Sequence, residues 1–292
     1  MYAAVAMSGV TAVSAFMHAM KLSVGDGRGG ALIMAAMWIP ALARLVATRT
    51  VDRGWFPPFP LARWGRPRTA VIVVPLLIVS LIYLGAYALA WLADVPREPP
   101  AWHGAAVVMN VAVNLPLLAI IGVFGGLGEE LGWRGYLQPR LDQLDVRGAL
   151  FWVIALETVF HLPLVLLAGY LAGDRWALSI ALFLCLKLGA TPVWTWATYR
   201  WRTVWMAIWF HALHNAVSQV LVPKALGAGD ARILGEAGVL PVALYLVTAG
   251  AVFGMARARG LRWRDLAGPA LSGTERRRHT RHRPDPKSDC RR

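Results

Sequence analysis

The chain has 292 residues, 57% of them apolar and 16% charged, and a formal net charge of +14. A soluble domain of this length carries more charge, and its apolar residues fall in stripes rather than the long blocks seen here, so a soluble globular fold is excluded. The basic residues sit in loops and a C-terminal tail, not on an aromatic-interleaved stripe, and no nucleic-acid partner is expected.

In chain order the apolar blocks predict about eight membrane-spanning helices, at 2–20, 31–48, 69–93, 105–128, 148–172, 176–199, 203–222 and 237–256. A bilayer core needs roughly 20 apolar residues per helix. Such segments must satisfy their own backbone hydrogen bonds, which makes them helical. The first block lacks the basic flank of a signal peptide and reads as a span. The expected fold is therefore all-α, a polytopic bundle over 1–266. Residues 267–292, rich in Arg and Pro without an apolar pattern, read as a disordered cytoplasmic tail drawn to anionic lipid. Cys185 lies in an apolar block and Cys290 in the tail, and there is no CxxC, so neither a disulfide framework nor a thiolate metal site is supported.

Charge asymmetry orients the bundle. Lys21, Arg28, Arg97, Arg175, Lys224 and Arg232 fall in the loops of one side, and Arg44 and Lys187 lie within spans. The remaining basic residues belong to the other loops and the tail. The basic side is cytoplasmic, which places both termini there in a multi-pass protein of the plasma membrane.

Three groups of ionisable residues fall within or beside the spans, where each costs about 3 kcal/mol or more unless paired or hydrated. The first is Glu129-Glu130 followed by Arg134. On a continuing helix, Glu130 and Arg134 share a face one turn apart, in the favourable order for an ion pair, while Glu129 points about 100° away. One carboxylate is neutralised and the other is free to face a cavity. The second is His161, with Glu157 one turn before it on the same face and Pro163 after it. The third is His211 with Asn215, again one turn apart, while His214 points elsewhere, toward Ser218. Their depths put all three groups near the midplane or on its cytoplasmic side, where they could meet in one water-filled cavity. Gly122, Gly125, Gly126 and Gly128 allow close helix approach beside them.

The run from Glu129 to Leu137 resembles the EExxxR signature of the CAAX-protease/bacteriocin-processing (CPBP, Abi) family, which includes Rce1-type CAAX endopeptidases. His161-Leu162-Pro163 is similar to its second motif, and His211 with Asn215 to its third, HxxxN. The resemblance covers roughly 105–222. It implies an eight-helix bundle with a conical cavity open to the cytoplasm and membrane, and hydrolysis of a peptide bond near the membrane surface. Carried over, Glu129 is the general base on water, helped by His161. Glu130 and Arg134 hold its geometry and field, and His211 and Asn215 donate hydrogen bonds to the oxyanion. The expected partners are membrane lipid and a protein or peptide substrate. The sequence departs from the family at Glu157, where Phe is common.

The cofactor stays open between none and zinc. Glu129, His161 and His211 are the candidate ligands, yet HExxH is absent. Two other classes fit an intramembrane Glu/His set: a non-catalytic immunity or scaffold protein, and a proton-coupled transporter. No role is assigned to Lys187.

Overall fold

The structure is a computed structural model and describes residues 1–55, 57–171 and 175–258. The tail expected at 267–292 lies outside the described residues. Among the described residues twelve α-helical segments follow one another: α1 (Tyr2–Ala19), α2 (Gly27–Ala36), α3 (Ile39–Thr50), α4 (Ala70–Leu92), α5 (Ala105–Gly132), α6 (Gln138–Gln143), α7 (Ala149–Leu167), α8 (Trp176–Trp201), α9 (Trp205–Ala216), α10 (Val222–Leu226), α11 (Ala231–Leu234) and α12 (Val239–Ala258). Among the described residues there is no β-strand, only one bridge between Arg97 and Gly229.

Each apolar block forms a helix because no other conformation satisfies its backbone in lipid. Pro75, Pro116, Pro163 and Pro192 sit inside helices, as membrane helices tolerate when neighbours satisfy the freed carbonyls. The second expected span is broken at Met37–Trp38, where Pro40 occupies the first turn of α3. Two π-helical turns interrupt the bundle, at Trp133–Leu137 and Val217–Leu221. The first contains Arg134 of the first motif and the second begins two residues after Asn215 of the third, and such turns are frequent at functional sites.

Among the described residues seven helical segments are long and apolar enough to cross a membrane, with α2 and α3 acting together and α5 running on through Gln143. The protein is a multi-pass integral membrane protein. The span expected at 203–222 is helical but is not among the seven. It is α9, with its π-turn and α10, and it carries His211, His214, Asn215 and Gln219. Packed between α4, α5 and α8, it meets protein rather than lipid and need not be apolar.

The long segments alternate in direction, giving the bundle two ends. At one, the α4–α5 loop is tied to the segment after α10 by Glu98 N–H to Ala228 O, 2.7 Å, and Ala101 N–H to Lys224 O, 2.9 Å. The α1–α2 and α7–α8 turns lie at this end too. At the other, Trp55 donates to Gln143, 2.7 Å, Arg140 pairs with Asp52, 2.5 Å, and Trp205 donates to Leu61 O, 2.8 Å. The loops of this second end carry the basic excess.

Among the described residues two large apolar clusters, and a smaller third around Phe59, Tyr199, Val204 and Ile208, fill the bundle. One packs α4, α8, α9 and α12 around Tyr83, Phe183, Trp194 and Phe210. The other packs α1, α3 and α7 around Met17, Trp133, Tyr136 and Phe160. The polar groups lie where the two meet.

Candidate active site

Close approach of α5 to its neighbours puts the first motif in place. A Cβ on Gly122 would stand 2.9 Å from Ala212 Cα, and one on Gly132 would stand 2.4 Å from Pro40 Cβ. Both distances are shorter than any real contact, so only glycine lets α5 lie against α9 on one side and α3 on the other.

Glu129 is 4% exposed and Glu130 and Arg134 are 1% exposed. The i,i+4 pair forms as the sequence predicts, with Arg134 Nη1 at 3.1 and 2.9 Å from the two Glu130 oxygens. His211 Nδ1 lies 3.0 Å from Glu130 Oε1, bringing the third motif onto the first. Glu129 diverges from this network. Its Oε2 accepts from Trp133 Nε1 at 3.3 Å, and its side chain lines a cavity of about 230 Å³.

Glu157, the departure from the family pattern, points away from that cavity. It is 1% exposed and completes an ion network with Arg134. Arg134 Nη1 approaches Glu157 Oε1 to 2.6 Å, at an angle that is not a hydrogen bond's, while Nη2 donates to Oε2 at 3.3 Å. Thr191 donates to Oε2 at 2.8 Å. Arg134 is thus shared by two buried carboxylates, and its guanidinium lies 5.5 Å from the Trp194 ring centre. A charge cluster this deep persists only when its members are hydrogen-bonded to one another.

His161 receives its orientation from α7 itself. Nδ1 lies 2.7 Å from the Glu157 backbone carbonyl. A carbonyl only accepts, so Nδ1 carries the proton and Nε2 of the neutral ring is an acceptor. The ring lies against Phe183, centroids 4.7 Å apart, and lines the cavity with Glu129, His211 and Asn215. Four of the six expected site residues therefore share one cavity. Glu130 and Arg134 lie behind its wall.

His214 does not reach Ser218 as expected. Nδ1 lies 3.0 Å from Tyr245 OH, and Nε2 lies 3.4 Å from Glu236 Oε1. Glu236 also accepts from Tyr170 OH, 3.0 Å, and Gln219 Nε2, 2.8 Å. Glu236, Tyr170, His214, Gln219 and Lys187 all line the same cavity. Sequence reasoning missed both Glu236 and Tyr170: Glu236 falls in a loop directly before the expected span at 237–256, the one available signal, and Tyr170 is an uncharged residue near the end of the expected span at 148–172.

The cavity does not run toward the basic end, where the expectation of a cytoplasm-facing site put it. It is bordered by Val24, Tyr170 and Glu236 from the α1–α2, α7–α8 and α11–α12 junctions and by Gly30 in the first turn of α2. The physical reason is a plug at the basic end. Trp133 is fully buried, Tyr2 packs against Trp133 and Tyr136 at 5.7 and 5.3 Å, and Tyr136 donates to Asp52 at 2.6 Å.

Sequence reasoning offers Glu129, His161 and His211 as candidate metal ligands. Among the described residues no group of three His, Cys, Asp or Glu side chains is placed to hold a metal ion. The Nδ1 atoms of both histidines face protein acceptors.

With this geometry in place, residues 110–217 match the Rce1-like family of type II CAAX prenyl endopeptidases. This segment is Rce1-like. It carries all three polar motifs. No curated protein matches the chain.

Proposed function

We propose that the protein is an intramembrane endopeptidase in which Glu129 activates water within the cavity. The observation that carries this reading is the division of labour between adjacent carboxylates: Glu130 is held by Arg134 and His211, while Glu129 faces the cavity with one oxygen fixed by Trp133. A water between Glu129 and His161 gives one proton toward Glu129 Oε1 and directs the other at His161 Nε2, leaving a lone pair aimed at the scissile carbonyl. Attack forms a C–O bond and an oxyanion. Asn215 donates to that oxyanion, and so does His211 from Nε2 in its imidazolium form, its Nδ1 being engaged by Glu130. Glu129 returns its proton to the amide nitrogen as the C–N bond breaks, releasing an amine and a carboxylic acid that gives up its remaining proton to His161 Nε2.

We propose the metal-free form of this chemistry. What supports it is that, among the described residues, no three His, Cys, Asp or Glu side chains converge as a metal ion requires. Elemental analysis of the purified protein, with activity measured before and after chelator dialysis, tests it. Unchanged hydrolysis is expected, and activity restored only by added zinc would overturn it.

The function itself is tested by comparing the termini of membrane proteins in cells carrying wild type and Glu129→Ala. Cleaved termini present only with wild type are expected. Identical termini in the two, with both proteins at equal abundance, would point instead to a non-catalytic scaffold.

A further inference from the structure

Lys187 on α8 takes no part in the chemistry above, yet it is 8% exposed and lines the catalytic cavity. Its ammonium lies 5.1 Å from the Phe183 ring centre and 5.9 Å from that of Trp194. Its ion-pair contact is Glu157 Oε2 at 3.7 Å, longer than a hydrogen bond. That oxygen already accepts from Thr191 and Arg134. An ammonium has three N–H donors, and none of them meets a hydrogen-bond acceptor among the described residues. Facing the cavity with no protein acceptor, the group is suited to gain a partner from whatever fills it.

The surroundings define that partner. Among the described lining residues Lys187 is the only Lys or Arg; the acids Glu129 and Glu236 line the same wall. Ile33, Met34, Leu118 and Leu186 make much of the rest apolar. A single ammonium matches a single negative charge, whereas a phosphate calls for several converging donors or an arginine fork. We propose that Lys187 binds a carboxylate of an otherwise apolar peptide substrate, fixing how far the chain enters the cavity past Glu129. This assignment rests on the peptidase reading for its substrate but is tested separately from it. The carboxylate has two sources in a peptide, the C-terminus and an acidic side chain.

The experiment uses the full-length protein in lipid nanodiscs carrying Glu129→Gln, so that binding is read without turnover. Three fluorescent tetrapeptides of valine and leucine serve as probes: one with a free C-terminal carboxylate, its C-terminal amide, and the amide with one internal aspartate. One of the two carboxylate-bearing probes should bind about tenfold or more tighter than the plain amide, and which of them does so identifies the source. Lys187→Met should reduce that preference to within about twofold, and Lys187→Arg should retain part of it. Lys187→Met leaves Glu157 with one cation fewer, so the double variant Lys187→Met with Glu157→Gln is measured beside it and should show the same loss. Equal binding of all three probes to the parent, or a preference that survives both Lys187→Met variants, overturns the assignment. A purely structural lysine would weaken all three probes alike. Discrimination in the absence of any wild-type hydrolysis would sink the peptidase reading and leave Lys187 standing; hydrolysis without discrimination would do the reverse.

Discussion

Arg134 holds two carboxylates that would otherwise be buried without compensation, and the consequences of losing it differ from those of losing either partner. Arg134→Met leaves Glu130 and Glu157, each 1% exposed, without their shared cation. Removing one partner of a buried ion network costs about 3–5 kcal/mol, so this variant should melt well below wild type in detergent or fail to accumulate. Glu157→Gln keeps the shape and leaves Arg134 paired with Glu130. It should lower the melting temperature less and retain hydrolysis, because Glu157 lies behind the cavity wall. Loss of activity in folded Glu157→Gln would mean that the carboxylate acts on the reaction after all. These roles were half legible in the sequence. The cost of charge in lipid singled out Glu129, Glu130, Arg134, His161, His211 and Asn215, and the helical period separated Glu129 from Glu130. It could not assign Glu157, because whether a carboxylate one turn from His161 faces the cavity or Arg134 is decided by a contact across 23 residues.

At the scale of elements, the site depends on how near α5 comes to α9 and α3. Gly122→Val places side-chain atoms where the α9 backbone lies, and should separate His211 from Glu130 or prevent folding. Gly250, on α12, faces open space: a Cβ there would meet nothing within 4 Å, so Gly250→Ala should leave melting temperature and activity intact. A melting comparison of the two checks the packing argument, and equal tolerance would refute it. Most helices were legible from their apolar length. The break at Met37–Trp38 and the π-turns at the first and third motifs were not, since they answer to packing against neighbouring helices rather than to local pattern. Glu236 escaped notice for a related reason: a loop position in sequence, it is drawn to the cavity by Tyr170, Gln219 and His214.

For the whole molecule, the basic end is closed and the cavity runs to the other. Burial raises the Asp52 carboxyl, but hydrogen bonds from Arg140 and Tyr136 outweigh it and hold the group below its ordinary value. A depressed carboxyl stabilises the fold above its unfolded pKa and loses that contribution as pH falls through its folded one. Asp52→Asn should therefore melt below wild type at pH 7, and the gap should close below about pH 4. The direction of the cavity is checked by thiol labelling after replacement of Cys185 and Cys290. Val220→Cys, on the cavity wall, should react with an impermeant reagent from the same membrane side as Ser23→Cys and not from the side of Arg63→Cys. The most direct test of the account is hydrolysis by the purified, reconstituted protein, with wild type compared against Glu129→Gln and His161→Ala at matched melting temperature. Wild type should cleave, Glu129→Gln should lose about 10²–10⁴-fold or more in kcat, and His161→Ala should also fall steeply; full activity in either folded variant would contradict it.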